Sequence, residues 1–145
     1  MAAHKVVVGA DGSEQSARAV QWCASYGVAL DAEVLVVHVI ERPAYATGMH
    51  TWVQPPVALT PVQREQLRDL IALDWCKPLA DAGVAYRVVV IEGHPTEALM
   101  QVARHEKADL VATGRRGLGG FKEMLLGSTS HALSHQLDRP LVIVP

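Results

Sequence analysis

Apolar positions fall along the chain in five short, nearly continuous runs set between longer stretches of helical period. The runs are Lys5–Val8, Glu33–Ile40, Tyr86–Ile91, Asp109–Thr113 and Leu141–Val144. Strands apolar at consecutive positions are covered on both faces, which is the mark of a parallel sheet with helices on either side. Between the runs the spacing predicts four helices. Ser13 is the N-cap of the first, which runs to about Leu30 with Ala17, Val20, Ala24 and Val28 inward. Thr60-Pro61-Val62-Gln63 opens the second: Thr caps, Pro fills the first helical position and Gln reaches back. It continues to about Asp81 with Leu67, Leu70, Ile71, Trp75, Leu79 and Ala82 on one face. Pro78 inside it predicts a kink or an early end near Lys77. Pro95 opens the third, through about His105, with Ala98, Leu99, Val102 and Ala103 inward, and Thr129–Leu137 forms the last.

Strand and helix alternate throughout, so the expected fold is a single doubly wound α/β domain over residues 1–145, with right-handed crossovers. Residues 41–59 carry no period and three prolines, and irregular stretches of that length are usually functional or mobile. At 145 residues the chain buries roughly two-thirds of its unfolded surface. A formal charge of −2 gives no field to hold a polyanion, and 5% aromatic content gives few stacking platforms, so broad nucleic-acid binding is not expected. Cys23 and Cys76 have no metal-type spacing, residues 1–10 lack a leader pattern, and no apolar run approaches the roughly 20 residues of a membrane span. A reducing, cytoplasmic setting is expected.

The candidate chemistry is concentrated between Gly114 and Ser130. That stretch holds Gly114, Gly117, Gly119, Gly120 and Gly127, leaves a buried strand and enters a helix at Gly127-Ser128-Thr129. Glycines let backbone N–H groups approach an anion, and a helix N-terminus adds unpaired donors, so this is where a phosphate would sit. A methyl at Gly117 is expected to obstruct that approach. The loop is neither a Walker loop, since Gly120 stands where Lys is required, nor a dinucleotide fingerprint. The bland alternative is a glycine-rich surface turn.

In an open parallel sheet ligands bind beyond the carboxyl ends of the strands where the order reverses. If the first and fourth strands are neighbours there, Gly9-Ala10-Asp11-Gly12-Ser13 faces the glycine loop. Asp11 then accepts hydrogen bonds from ribose hydroxyls, while Ser128, Thr129, Arg115 and Arg116 serve phosphates. Alone, Asp11 reads as a turn carboxylate. His131 and His135, four apart on one helix, lack a third ligand and read as a solvated face; His38 reads as a core histidine.

Val6–Ser13 (VVVGADGS), VLVVHV in the second strand, ADLVATGRRG, the G-x2-G-x9-G-S spacing and the terminal PLVIVP together resemble the universal stress protein family over essentially the whole chain. The resemblance implies a Rossmann-like five-stranded parallel sheet of order 3-2-1-4-5, helices on both faces, ATP binding, and dimers through the last strand, Leu141–Val144. By position it implies that Gly9, Ala10 and Asp11 hold the ribose or adenine edge and that the backbone near Val39 meets adenine. Gly114, Gly117, Gly127, Ser128 and Thr129 would hold the triphosphate, with Mg²⁺ or Mn²⁺ accompanying the ligand; Leu118, Gly119 and Gly120 of the same loop are further candidates, as are Arg115 and Arg116, which the family pattern does not explain. The function it implies is a nucleotide-dependent regulatory module of the stress response. The alternatives are a slow metal-dependent ATPase or phosphotransferase, with Asp11 and Glu123 the only nearby acids, and a binder of AMP or cyclic AMP.

Overall fold

The computed structural model describes residues 4–41, 58–117 and 125–145. Five strands form one parallel sheet in the order β3-β2-β1-β4-β5: β1 His4–Gly9, β2 Ala32–Glu41, β3 Ala85–Gly93, β4 Leu110–Gly114 and β5 Leu141–Val144. In register, Val7 of β1 lies opposite Leu35 of β2 on one side and Val111 of β4 on the other. The expected architecture and strand order are those found.

Helices cover both faces. On one lie α1 (Glu14–Gly27) and the segment α2 (Pro61–Leu70) to α3 (Lys77–Asp81); on the other lie α4 (Pro95–His105) and α5 (Ser128–Gln136). The alternation of β2 sorts its side chains between the two cores. Val34 and Val36 join Val20, Cys23, Ile71 and Leu79, whereas Leu35 and Val37 join Leu99, Val102, Ala103 and Leu133. Among the described residues no helix is long and apolar enough to cross a membrane.

Three helical expectations need correction. The buried face of α1 is Ser16, Ala19, Val20, Cys23, Ala24 and Gly27; Ala17 and Val28 are exposed, and the helix ends at Gly27 rather than Leu30. The second helix opens as expected, with Thr60 and Gln63 forming a reciprocal capping box. The interruption expected near Lys77 is found, as a π turn over Ile71–Trp75 followed by a new start at Lys77, whereas the expected inward face fails at Leu70 and Ala82. The cause is Pro78, which donates no N–H and whose ring would meet the carbonyl four residues back in a continuous α-helix. In the first turn of α3 the same proline costs nothing. The break turns Leu70 and Ala82 outward while Ile71 and Leu79 stay fully buried. Of the irregular stretch 41–59, Glu41 belongs to β2, and residues 42–57 lie outside the described residues.

The amino end of the sheet is held by ion pairs. Arg87 donates to Glu33 at 2.6 Å and to Glu106 at 2.9 Å, and Lys5 Nζ donates to Glu106 at 3.2 Å. The Arg87 guanidinium, and after it Lys5, hold the Glu106 carboxyl down at about 2. Because this lies below the unfolded value of about 4.3, the group stabilises the fold above that pH and loses its contribution as the pH falls toward 2. Glu106→Gln is therefore expected to be less stable than wild type in urea unfolding near neutral pH, with the gap closing near pH ~2. A gap equal at both values would contradict this account.

Candidate functional site

Because the sheet order reverses at β1, the chain leaving β1 and the chain leaving β4 turn to opposite faces and open a crevice between them. A cavity of about 400 Å³ lies there. Three groups of residues line it, one from each central strand.

At the end of β1 stand Gly9, Ala10 and Asp11. The turn is a closed hydrogen-bond knot. Asp11 Oδ1 accepts from Ser13 N–H (2.9 Å), Ser13 Oγ caps α1 by accepting from Ser16 N–H (3.1 Å), and Ser16 Oγ accepts from Asp11 N–H (3.2 Å) while donating to the Ser13 carbonyl (3.1 Å). Gly12 supplies the positive φ (+81°) that the turn requires. Asp11 is thus a turn carboxylate by one oxygen. Its other oxygen faces the opposite loop: a Cβ built on Gly117 would lie 2.5 Å from Asp11 Oδ2.

At the end of β4 the cavity meets Thr113, Gly114, Arg116 and Gly117, then Gly127, Ser128 and Thr129. The two described ends of this loop are tied together, with Gly127 N–H donating to the Arg115 carbonyl at 2.7 Å and Arg115 N–H donating to the Val144 carbonyl at 2.8 Å. Ser130 Oγ, buried, donates to the Gly114 carbonyl (2.7 Å) and lies 3.3 Å from Thr113 Oγ1, which seats α5 on the end of β4. Helix α1 is capped by the Ser13 hydroxyl and α2 by that of Thr60, but α5 begins at Gly127 with no side-chain cap among the described residues. Helix α4 also begins without a side-chain cap, but at Pro95, which has no N–H; the first turn of α5, with Ser128 and Thr129, lines the cavity.

The third wall is apolar. Val37 and Val39, successive same-face residues of β2, stand with Leu99 and Pro95 of α4, and Glu41 continues the row at the rim. A smaller hollow of about 160 Å³ extends from the rim past Glu41, His94 and Thr129.

Of the site residues expected from sequence, Gly9, Ala10, Asp11, Val39, Gly114, Arg116, Gly117, Gly127, Ser128 and Thr129 are brought together around one cavity. Arg115 is not among the lining residues; its main chain bonds to β5 and to Gly127. Leu118, Gly119, Gly120 and Glu123 lie outside the described residues. Sequence reasoning missed Ser16, Val37, Glu41, Pro95, Leu99 and Thr113. Val37 and Glu41 follow from Val39 by the two-residue period of a strand, whereas Leu99 arrives from a distant helix and carried no local signal.

Two glycines do something other than open a path to phosphate. A Cβ at Gly114 would stand 2.7 Å from the backbone of Gln15, so this glycine lets the first turn of α1 pack directly on β4. At Gly117 an added methyl meets a side-chain oxygen, Asp11 Oδ2, rather than backbone, so a small rotation of that carboxylate relieves the contact. Gly114→Ala is accordingly expected to cost about 1–3 kcal/mol in urea unfolding, and Gly117→Ala less than about 1 kcal/mol. Equal losses, or the reverse order, would contradict these contacts.

The doubly wound sheet, with a cavity at the strand-order reversal, defines a Rossmann-like α/β domain. The chain belongs to the universal stress protein family, whose family model matches residues 2–145. Universal stress protein YxiE of Bacillus subtilis is 29% identical over 145 residues, covering 97% of this chain and 98% of that protein. A solved universal stress protein in complex with cAMP is 26% identical and superposes with a TM-score of 0.69, covering 98% of this chain and 96% of the other. UspA of Lactobacillus plantarum, 14% identical with a TM-score of 0.77 and coverages of 99% and 98%, shares the fold.

Proposed function

We propose that this chain is an adenine-nucleotide-binding module whose ligand is ATP, and that binding rather than turnover is its working step in a stress response. The observation that carries the reading is the arrangement of three unlike walls around one cavity. Uncapped N–H donors and hydroxyls of α5 suit phosphates, the Asp11 carboxylate suits sugar hydroxyls, and Val37, Val39 and Leu99 suit a flat base. They succeed one another as β4, β1 and β2 do across the sheet, so a nucleotide would lie across the strand ends. A volume of about 400 Å³ is in the range of small-molecule sites. The complex of a 26% identical relative with cAMP supports an adenine nucleotide.

Turnover has weaker support. Hydrolysis requires a positioned base and a metal at the terminal phosphates; Asp11 Oδ1 is engaged by the Ser13 N–H of the turn, and Glu41, the other carboxylate that lines the cavity, stands at its rim. Mg²⁺ or Mn²⁺ would arrive with the triphosphate. One observation favours a second reading, AMP or cyclic AMP as resident ligand: the cAMP complex of that relative. Protein emptied of ligand and titrated calorimetrically with ATP, AMP, cAMP, adenosine and tripolyphosphate separates these. ATP is expected to bind most tightly, with negligible phosphate release. Asp11→Ala is expected to weaken ATP and adenosine about tenfold and leave tripolyphosphate unchanged. Equal loss for tripolyphosphate would remove the sugar assignment, and preference for cAMP would install the second reading.

The same proposal includes a homodimer through β5. This strand pairs with β4 on one side, and its four residues are all half-buried. Pro140 and Val144 turn their carbonyls to β4, so in a regular strand Leu141 and Ile143 turn their backbone groups to the outer edge. An unpaired apolar edge is a liability, and antiparallel pairing with a second copy closes it symmetrically. Ile143→Pro removes one outward donor without touching the β4 ladder and is expected to give monomers in sedimentation velocity where wild type sediments as a dimer. A wild-type monomer would refute the dimer.

A further inference from the structure

The turn that carries Asp11 has a second support, on the face of the sheet away from the cavity. His38 leaves β2 between the cavity-lining Val37 and Val39 and so points to the opposite side. Its Nδ1 lies 2.9 Å from the carbonyl oxygen of Ala10. A carbonyl only accepts, so Nδ1 carries the hydrogen and donates. The ring of Trp75 stands edge-on to the imidazole, at 5.2 Å between centroids and 81° between planes. The same indole closes on Gly12, where a Cβ would lie 2.9 Å from its Cζ2. Trp75 is the last residue of the π turn, so the extra residue admitted there determines where the indole is delivered.

Ala10 and Gly12 are the two chain neighbours of Asp11. One is held by His38 through its carbonyl and by Val37 through its N–H (2.9 Å), and the other is backed by Trp75. We propose that His38 and Trp75 are positioning residues of the ligand site: together they set the height and direction of the Asp11 carboxylate over the cavity and make the π turn part of the binding apparatus. This rests on the reading of Asp11 as the sugar acceptor. By linkage, a ligand that tightens the turn also tightens the π turn behind it.

The test compares His38→Gln, whose amide can still donate to Ala10, with His38→Leu, which cannot, and adds Trp75→Phe, which withdraws the indole from Gly12. Two readouts are taken: amide hydrogen exchange at Asp11 and Ser13, and affinity for adenosine and for tripolyphosphate. In His38→Leu the exchange at Asp11 and Ser13 is expected to accelerate while Val7 and Val111 stay protected. Adenosine is expected to bind about tenfold more weakly, with tripolyphosphate unchanged. His38→Gln should recover most of both effects, and Trp75→Phe should move both in the direction of the leucine variant. Wild-type exchange and affinity in His38→Leu, equal losses for the two ligands, or a glutamine variant no better than leucine would each overturn the proposal. Should His38→Leu fail to fold, Trp75→Phe against His38→Gln carries the same comparison. If wild type binds neither adenosine nor ATP, the nucleotide reading alone fails, and the exchange data still decide whether His38 and Trp75 hold the turn.

Discussion

The contact between the first turn of α1 and the end of β4 is made backbone to backbone, at a separation only glycine allows at position 114. Much of the site depends on it. With α1 seated there, the β1 turn that caps it is brought beside the exit of β4, and Asp11 reaches to within contact of Gly117. The reversal of strand order at β1 creates a crevice in any fold of this kind; the close approach at Gly114 sets how narrow this one is. Its floor is then lined from three neighbouring strands, and the character of each wall follows from what its strand leads into. The β4 exit leads to a helix with no side-chain cap among the described residues, β1 enters a serine-capped turn, and β2 continues past the end of β1 still paired with β3.

The two ends of the sheet divide their labour. At the amino end Lys5, Glu33, Arg87 and Glu106 satisfy one another, and Arg139 donates to the carbonyls of Ala103 and Ala108 near the end of α4. Charges there are spent on holding elements together. At the carboxyl end the polar groups of the β1 turn and of Ser130 are also bonded, which fixes their positions, yet the first turn of α5 receives no side-chain cap among the described residues. A bonded frame around such a helix start is the arrangement that the proposed binding, without large rearrangement, would require.

Much of this was legible in the chain. Runs of consecutive apolar residues announced parallel strands because both faces of such strands are covered, and Thr60-Pro61-Gln63 and Ser13 announced helix starts because their side chains answer a defined local need. The glycine-rich stretch pointed to the end of the sheet where the cavity lies. What escaped depended on partners distant in sequence. The buried face of α1 is built from Ser16, Ala19 and Gly27, small residues that carry little hydrophobic signal but allow close approach to the sheet. The contact of Gly114 with Gln15 gave no sign in the chain, because composition does not distinguish room for a ligand from room for a helix. Pro78 announced a disturbance but not that a π turn would absorb it and deliver Trp75 to Gly12, and His38 looked like a core histidine until the Ala10 carbonyl was seen opposite its ring.

The central claim, that the cavity is built for an adenine nucleotide, is tested most directly by what the protein carries out of the cell. Freshly purified protein is denatured, the released small molecules are identified by mass spectrometry, and the compound found is titrated back into the emptied, refolded chain. The account predicts ATP in amounts approaching one per chain, rebinding to the refolded protein. Recovery of no nucleotide, together with no heat on adding ATP, AMP or cyclic AMP, would contradict it.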